Sequence, residues 1–189
     1  KDFVKAGAEI IITNTFTTRR IRLAENDIEE KFEYLVSKAG EIAHEIKKIY
    51  PNIFVGGSLP PQLLTYQADL RDEKDILSNF SDMAEILNPY VDFYYFDVLS
   101  SVREFDIAIK AVEKFNKPYL FGVHISEGTT LPSGEKISDF KIFASNPNLL
   151  GIMLSCVSPE NYELNADQLK ELNIPYGFKF NAFQTTAPK

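Results

Sequence analysis

Short apolar runs alternate along this chain with longer segments of helical periodicity, and this alternation restricts the fold more than any other feature. The runs are rich in β-branched and aromatic residues, and their starts lie 27 to 44 residues apart, about one βα repeat each. Such an alternation is typical of parallel sheets built from βα units. We therefore predict six strands, at residues 9–13, 53–56, 91–96, 118–123, 149–154 and 176–180.

Three of the intervening segments carry apolar residues at the three- and four-residue spacing of an amphipathic helix. These segments are residues 35–46, 76–87 and 105–115. The predicted strands are apolar at consecutive positions, as expected for a parallel sheet that is buried on both faces. The pattern therefore predicts an α/β fold in which helices cover the sheet.

The turn after the first strand helps to choose between two α/β architectures. A doubly wound nucleotide-binding sheet typically has a Gly-rich phosphate turn there, and residues 13–16 contain no glycine. We therefore favour a (β/α)8 barrel of the TIM type, with about six of its eight units present. Residues 1–7 resemble the last turns of a helix that closes on Gly7, so we expect residues 1–189 to be a single partial barrel domain, truncated at both ends.

Composition and charge exclude several classes of protein. The formal net charge is −7 and the one dense basic cluster is residues 19–22, which disfavours a nucleic-acid binder, because such proteins concentrate Lys and Arg. No apolar run approaches the ~20 residues that span a bilayer, so no membrane span is expected. The single cysteine excludes an internal disulfide and favours a reducing, cytoplasmic location. The sequence carries no signal of oligomeric state.

Barrel enzymes build their active sites at the carboxyl ends of the strands, so the residues that follow each apolar run are the candidates. Every predicted strand is followed by polar or nucleophilic residues. Asn, Ser and Gly also form turns in any protein, which accounts for about half of these positions. The candidates are Thr13, Asn14, Thr15, Gly57, Ser58, Asp97, His124, Ser126, Ser155, Cys156 and Asn181.

Cys156 and Asp97 each have a structural and a functional interpretation. A lone cysteine is usually an inert, small apolar residue, but this one would place its thiol at the barrel mouth, as a nucleophile or a zinc ligand. A cysteine nucleophile needs a neighbouring base, and the candidate for that base is His124, the one histidine at a predicted strand end. Asp97 could hold an ammonium group or act as a base, or it could cap the next helix, a role that Ser100 or Ser101 fills equally well.

Five segments, taken in order, resemble the homocysteine S-methyltransferase family. Residues 6–16 (AGAEIIITNTF) are similar to its second-strand signature, and residues 56–60 (GGSLP) to its third-strand GSLGP segment. Residues 91–104 match the fourth-strand pattern, where the family has a glutamate that holds homocysteine. Residues 151–156 (GIMLSC) are similar to the sixth-strand GxNC segment with the first zinc cysteine, and residues 176–181 to the seventh strand, which ends in Asn.

The resemblance implies a reaction and its site residues. Members hold Zn2+ with three thiolates, and an open position takes the sulfur of homocysteine, which loses its proton and receives a methyl group to give methionine. Betaine, S-methylmethionine, other sulfonium compounds and methyl-folate serve as donors in relatives, and residues 60–71 are expected to help select the donor. The resemblance implies Cys156 as one zinc ligand, the other two outside this chain, and substrate contacts from Asp97, Asn14, Thr15, Gly57, Ser58 and Asn181.

Several departures from the family pattern bear on this interpretation. Asp97 stands where the family has Glu, Ser155 where it has Asn, and Pro60 where it has Gly. The paired cysteines that follow the family's eighth strand are absent from the 189 residues. Two alternatives therefore stay open: a zinc-independent barrel lyase or isomerase that uses Asp97 and His124 as acid and base, and a non-catalytic barrel remnant.

Overall fold

A computed structural model describes residues 1–181, and its strands and helices alternate as predicted. None of the helices in this range is long and apolar enough to cross a membrane. The strands are β1 Ile10–Ile12, β2 Phe54–Leu59, β3 Phe93–Leu99, β4 Tyr119–Val123, β5 Leu149–Val157 and β6 Tyr176–Phe180. The helices are α1 Asp2–Lys5, α2 Arg20–Ala24, α3 Phe32–Ile49, α4 Glu73–Leu87, α5 Val102–Val112 and α6 Pro159–Lys170, with 3-10 turns at Glu29–Lys31, Asn88–Tyr90, Glu113–Phe115 and Ile137–Phe143.

The six strands form one parallel sheet in which each strand pairs with its neighbour in the sequence. A doubly wound sheet reverses its strand order at a switch point, and no reversal occurs among these six strands. The sheet curls into an incomplete TIM-like barrel, which confirms the predicted fold class. Because all strands run in the same direction, their carboxyl ends meet at one rim.

A layer of aromatic and aliphatic side chains lies between the sheet and its helices. Phe96 of β3 and Phe121 of β4 stack with ring centroids 5.8 Å apart, and Phe105 of α5 packs on Phe121 at 4.6 Å. The buried stripes of α3 and α4 extend this layer. Because side chains alternate along a strand, Tyr95 and Asp97 point to the opposite face, into the barrel. The helices thus cover the outer face, and the inner face is left to carry the site.

Three strands run further than the sequence predicted. Strand β2 includes Gly57 and Ser58, β3 includes Asp97, and β5 includes Cys156, so these residues lie inside their strands, near the ends, and do not follow them. In β3 and β5 the register shifts by one residue, at Val98 and at Cys156, whose φ values are 68° and 57°. Such bulges bend a strand and re-aim its side chains, and here both bulges lie at the rim.

The two outer strands leave apolar side chains exposed. Ile12 and its neighbours occupy the β1 side, and Phe178 lies on the β6 side. Unpaired strand edges with exposed apolar residues invite association with other chains. The exposed residues are Ile10 and Ile12 of β1 with Phe54 of the neighbouring β2 on the first side, and Tyr176, Phe178 and Phe180 of β6 on the second.

Candidate active site

Asp97 is the centre of a polar cluster at the carboxyl rim of the inner face. Its side chain is 6% exposed, and its Oδ2 accepts a hydrogen bond from Ser58 Oγ at 3.3 Å. Its Oδ1 accepts a second bond, from Nζ of Lys179, at 2.8 Å. These residues come from β2, β3 and β6, so three strands converge on one carboxylate. Since a carboxylate has about four acceptor positions, Asp97 can accept further donors from a ligand.

Two threonines that follow β1 hold Ser58 in place. The backbone N–H of Ser58 donates to Thr13 Oγ1 at 2.9 Å, and Thr15 Oγ1 donates to the Ser58 carbonyl oxygen at 2.6 Å. The two threonine hydroxyls are buried and 3.1 Å apart. Thr15, a predicted substrate contact, therefore lies beside the site and orients Ser58 through its backbone.

Cys156 is half-buried at the rim, and the hydroxyl of Tyr66 lies near enough to its sulfur to interact with it. Burial first, and then the charges of Cys156 and Asp97, raise the pKa of Tyr66 to about 12. The phenol is therefore protonated at neutral pH and can donate a hydrogen bond to sulfur. Since Cys156 and Asp97 both act electrostatically on the Tyr66 hydroxyl, we assign the thiol and the carboxylate to one site.

The loop that carries Tyr66, residues 60–71, is anchored by two arginines. Buried Arg19 donates to the carbonyl oxygens of Pro61 and Leu63, both at 3.1 Å. Arg103 of α5 donates to two further loop carbonyls, both at 2.9 Å. These bonds fix the loop at both of its ends and so hold Tyr66 over the rim.

His124, the candidate base of the alternative mechanism, is fully buried. Because a carbonyl oxygen can only accept, Nδ1 donates to the oxygen of Ser155 at 3.1 Å, and Nε2 then accepts from Ser126 Oγ at 2.9 Å. The ring of Tyr66 packs against the imidazole at a tilt of 33°, with centroids 4.2 Å apart. Burial lowers the pKa of His124 to about 4, so the imidazole is neutral at pH 7. His124 therefore supports β5 and the loop as a neutral group.

Of the remaining predicted contacts, two lie towards the helical layer and one lies at the rim. Asn14 is exposed and lines a groove beside α3. The α-carbon of Gly57 faces outward, since a Cβ there would lie 3.5 Å from Leu87 of α4. Asn181 follows β6, and its N–H donates to the carbonyl oxygen of Val157 at 3.1 Å. Gly57 lies towards the helical layer because alternation along β2 turns Ser58, and not Gly57, inward. Asn14 also lies on the helical side, in the groove beside α3. Asn181 stays at the rim.

Comparison with protein-family models matches residues 1–188 to the family described as homocysteine S-methyltransferase. The chain belongs to the homocysteine S-methyltransferase family. This match confirms the resemblance predicted from the five sequence segments. No curated protein matches the chain.

Solved structures with the same architecture include a named homocysteine methyltransferase. The metallated form of MmuM from Escherichia coli has a TM-score of 0.78 at 16% identity, over 96% of this chain and 78% of that one. Its oxidised form gives a TM-score of 0.77 at the same identity and coverage. Type I 3-dehydroquinate dehydratase from Clostridium difficile gives 0.51 at 8% identity, over 94% of this chain and 77% of that one. At these identities the likeness establishes the barrel fold.

The residues that the structure describes do not form the zinc site of the family by themselves. Within 1–181 no group of three or more His, Cys, Asp or Glu side chains is arranged to hold a metal ion. Cys156 is the only cysteine in the sequence, whereas zinc sites take three or four protein ligands. The chain therefore supplies at most one of the thiolates that the resemblance implies.

Lys179 was not among the predicted site residues, although β6 contains a signal for it. Phe178 and Phe180 stack on each other with centroids 4.1 Å apart, and both contact Tyr162 of α6 on the outer face. Alternation then sends Lys179 inward. A lysine between two outward aromatic residues at the end of a barrel strand is therefore a candidate site residue.

Proposed function

We propose that this protein is a methyltransferase that binds homocysteine at the carboxyl rim of its barrel. It transfers to the sulfur of homocysteine the methyl group of a small donor and so produces methionine. The main structural support is the buried carboxylate of Asp97 at the rim. Ser58 lies on one side of it, and Tyr66 and Cys156 lie nearby. Membership of the homocysteine S-methyltransferase family supports the reaction class.

Asp97 is the proposed acceptor for the α-ammonium group of homocysteine. Hydrogen bonds between charged partners are roughly twice as strong as neutral ones, and the low exposure of this carboxylate strengthens them further. Asp97 is one methylene shorter than the glutamate of the family pattern, so the ammonium must approach the backbone of β3 more closely. Ser58, oriented by Thr15, and Asn181 would complete the contacts, whereas Asn14 and Gly57, which lie towards the helical layer, are left out of the proposed contacts.

Cys156 and Tyr66 are the proposed surroundings of the substrate sulfur. The protonated hydroxyl of Tyr66 can donate a hydrogen bond to a thiolate, which stabilises the form of the substrate that attacks a methyl group. Following the family pattern, Cys156 would be one thiolate ligand of a zinc ion, with two further cysteines outside the 189 residues. This assignment is supported by the position of Cys156 at the rim.

An acid–base lyase or isomerase has less support from the geometry. A general base works best when its pKa lies near the working pH, and burial holds the pKa of His124 at about 4. Both ring nitrogens of His124 are hydrogen-bonded to Ser155 and Ser126. In a methyltransferase, by contrast, Asp97 has only to accept hydrogen bonds from the substrate. Its two present donors, Ser58 and Lys179, leave acceptor positions free for this.

Calorimetric titration of the full-length protein with L-homocysteine tests the proposal. We expect Asp97→Asn to weaken binding about 10- to 100-fold, because one charge-assisted hydrogen bond contributes ~1.5–3 kcal/mol. Asp106→Asn is the matched control, since Asp106 is exposed on α5 and pairs with Lys110 at the surface. Undetectable binding in the wild-type protein, or equal binding by wild type and Asp97→Asn, contradicts the proposal.

A further inference from the structure

The ion pair between Lys179 and Asp97 is unequally buried. The side chain of Asp97 is 6% exposed, whereas that of Lys179 is 44% exposed. The ammonium of lysine has three donors, and the bond to Asp97 at 2.8 Å uses one of them. The negative partner is thus covered by protein, while the positive partner is open to solvent at the rim.

The surroundings of Lys179 direct its charge towards the site. Its cross-strand partner on β5 is Ser155, whose Oγ lies 2.5 Å from the hydroxyl of Tyr95. Nζ of Lys179 lies 5.4 Å from the centre of the Tyr95 ring, within the range of a cation–π contact. The aliphatic part of the Lys179 side chain therefore points from β6 into the barrel beside Tyr95 and Ser155, and its ammonium group is partly open to solvent.

A free amino acid carries an ammonium and a carboxylate on one carbon atom at neutral pH. Asp97 and Lys179 present one negative and one positive charge, side by side, on the wall of the same site. An amino acid that lies antiparallel to this pair would satisfy all four charges. A ligand with an ammonium group alone would meet the unbalanced charge of Lys179, and a ligand with a carboxylate alone would meet that of Asp97.

We infer that Lys179 binds the α-carboxylate of the substrate while Asp97 binds its α-ammonium group. The pair thereby selects free amino acids over simple thiols. This inference rests on the proposed function and extends it, because it assigns Lys179 as the residue that binds the α-carboxylate of the substrate. The Tyr66 and Cys156 end of the site is then left for the sulfur.

Two thiol analogues of homocysteine, each lacking one of its two charged groups, test the contributions of Asp97 and Lys179 separately. The compound 3-aminopropane-1-thiol lacks the α-carboxylate, and 4-sulfanylbutanoate lacks the α-ammonium group. In calorimetric titrations of the full-length wild-type protein we expect homocysteine to bind at least about 10-fold more tightly than either analogue, since each lacks one charge-assisted bond. This comparison needs no variant and so does not depend on the folding of a mutant.

Substitution of Lys179 then assigns the preference to one residue. Lys179→Met is expected to weaken the binding of homocysteine about 10-fold or more without weakening the binding of 3-aminopropane-1-thiol, which no longer meets the charge of Lys179, whereas Lys179→Arg retains the preference for homocysteine. Lys170→Met is the matched control, because Lys170 is exposed on α6 and pairs with the exposed carboxylate of Asp167. The circular dichroism spectrum confirms that each variant is folded.

Three results overturn these assignments. Equal wild-type affinities for homocysteine and 3-aminopropane-1-thiol overturn the inference. A Lys179→Met variant that changes both affinities by the same factor also overturns it, because Lys179 would then only neutralise Asp97. If the wild-type protein binds neither homocysteine nor the two analogues, the proposed function itself fails.

Discussion

The α-carbon of Gly122 faces the hydroxyl of Tyr95 so closely that a side chain at this position of β4 would clash. A Cβ atom on Gly122 would lie 2.6 Å from the Tyr95 oxygen and 2.9 Å from the backbone oxygen of Phe96. The Tyr95 hydroxyl is fixed in turn to Ser155 on β5, at 2.5 Å. The absence of a side chain on Gly122 therefore allows β3 and β5 to be joined across β4 beneath the rim.

Gly122→Ala should destabilise the fold by ~1–3 kcal/mol, because the backbone oxygen of Phe96 cannot move as a side chain would. Urea unfolding followed by circular dichroism measures this difference. Gly177→Ala is the matched control on β6, since its Cβ would make an ordinary contact of 3.8 Å with Met153. Equal stabilities of the two variants would refute the steric role of Gly122.

Glu104 should make the stability of the protein fall as the pH rises. This side chain is fully buried on α5, where it accepts a hydrogen bond from Ser101 Oγ at 2.7 Å, and burial raises its pKa from 4.5 to about 7. Between these two pH values the folded state binds more protons than the unfolded state, so the free energy of unfolding decreases with pH, by a total on the order of 3 kcal/mol.

Glu104→Gln should remove this loss, because an amide does not titrate. Unfolding titrations of wild type and variant at several pH values from 4.5 to 8 give the difference in stability, which should increasingly favour the variant as the pH rises. The opposite contribution of His124, whose lowered pKa costs stability as the pH falls from 6.5 to about 4, cancels in this difference. Glu113→Gln, at an exposed position beyond α5, should show no trend. A pH-independent difference for Glu104→Gln would contradict the burial argument.

Tyr66→Phe should slow the alkylation of Cys156 about 2- to 10-fold at pH 7.5, because a hydroxyl that can donate a hydrogen bond to the sulfur is lost while the ring stays. The rate with iodoacetamide, followed by mass spectrometry, measures the effect. Tyr34→Phe, at an exposed position on α3, is the control. Equal rates for Tyr66→Phe and wild type would show that the hydroxyl does not act on the sulfur.

Residues 1–189 expressed alone should self-associate, because both outer strands carry exposed apolar side chains. Analytical ultracentrifugation over a tenfold range of concentration should show a rising average mass. Replacing exposed Phe54 on β2 and Phe178 on β6 by Thr should reduce this association, since Thr favours strands but is less apolar. A monomeric species with a cooperative melt at all concentrations would instead favour the non-catalytic remnant.

Consecutive apolar runs made the fold predictable, and the strand order followed from the βα repeat. The ends of β2, β3 and β5 were predicted too early because Ser58, Asp97 and Cys156 are polar or reactive residues that nevertheless stay in the sheet. Local sequence gave no sign of the bulges either. Val98 is β-branched and disfavours its φ of 68°, so its type gives no local signal for the bulge at this position.

The candidate site was only partly accessible to sequence reasoning. Asp97, Ser58, Thr15 and Cys156 could be predicted because each follows or ends an apolar run. Gly57 belongs to the same pattern because the predicted end of β2 is too early to show which of its side chains turn inward. Asn14 does follow β1, but a linear pattern cannot show that it lies exposed in a groove beside α3. The sequence predicts a role only for the whole loop 60–71, which has no periodicity from which Tyr66 could be singled out. The position of Tyr66 beside Cys156 and His124 depends on how that loop is anchored.

Methyl transfer to homocysteine is the most direct test of the central claim. The full-length protein should be incubated with L-homocysteine and a deuterated-methyl donor, either betaine, S-methylmethionine or methyl-folate, and labelled methionine measured by mass spectrometry. We predict labelled methionine with at least one donor, a loss of at least about 10-fold in Asp97→Asn, and a loss in Cys156→Ser together with any bound zinc. A wild-type protein that binds homocysteine but forms no labelled methionine with any donor would contradict the account.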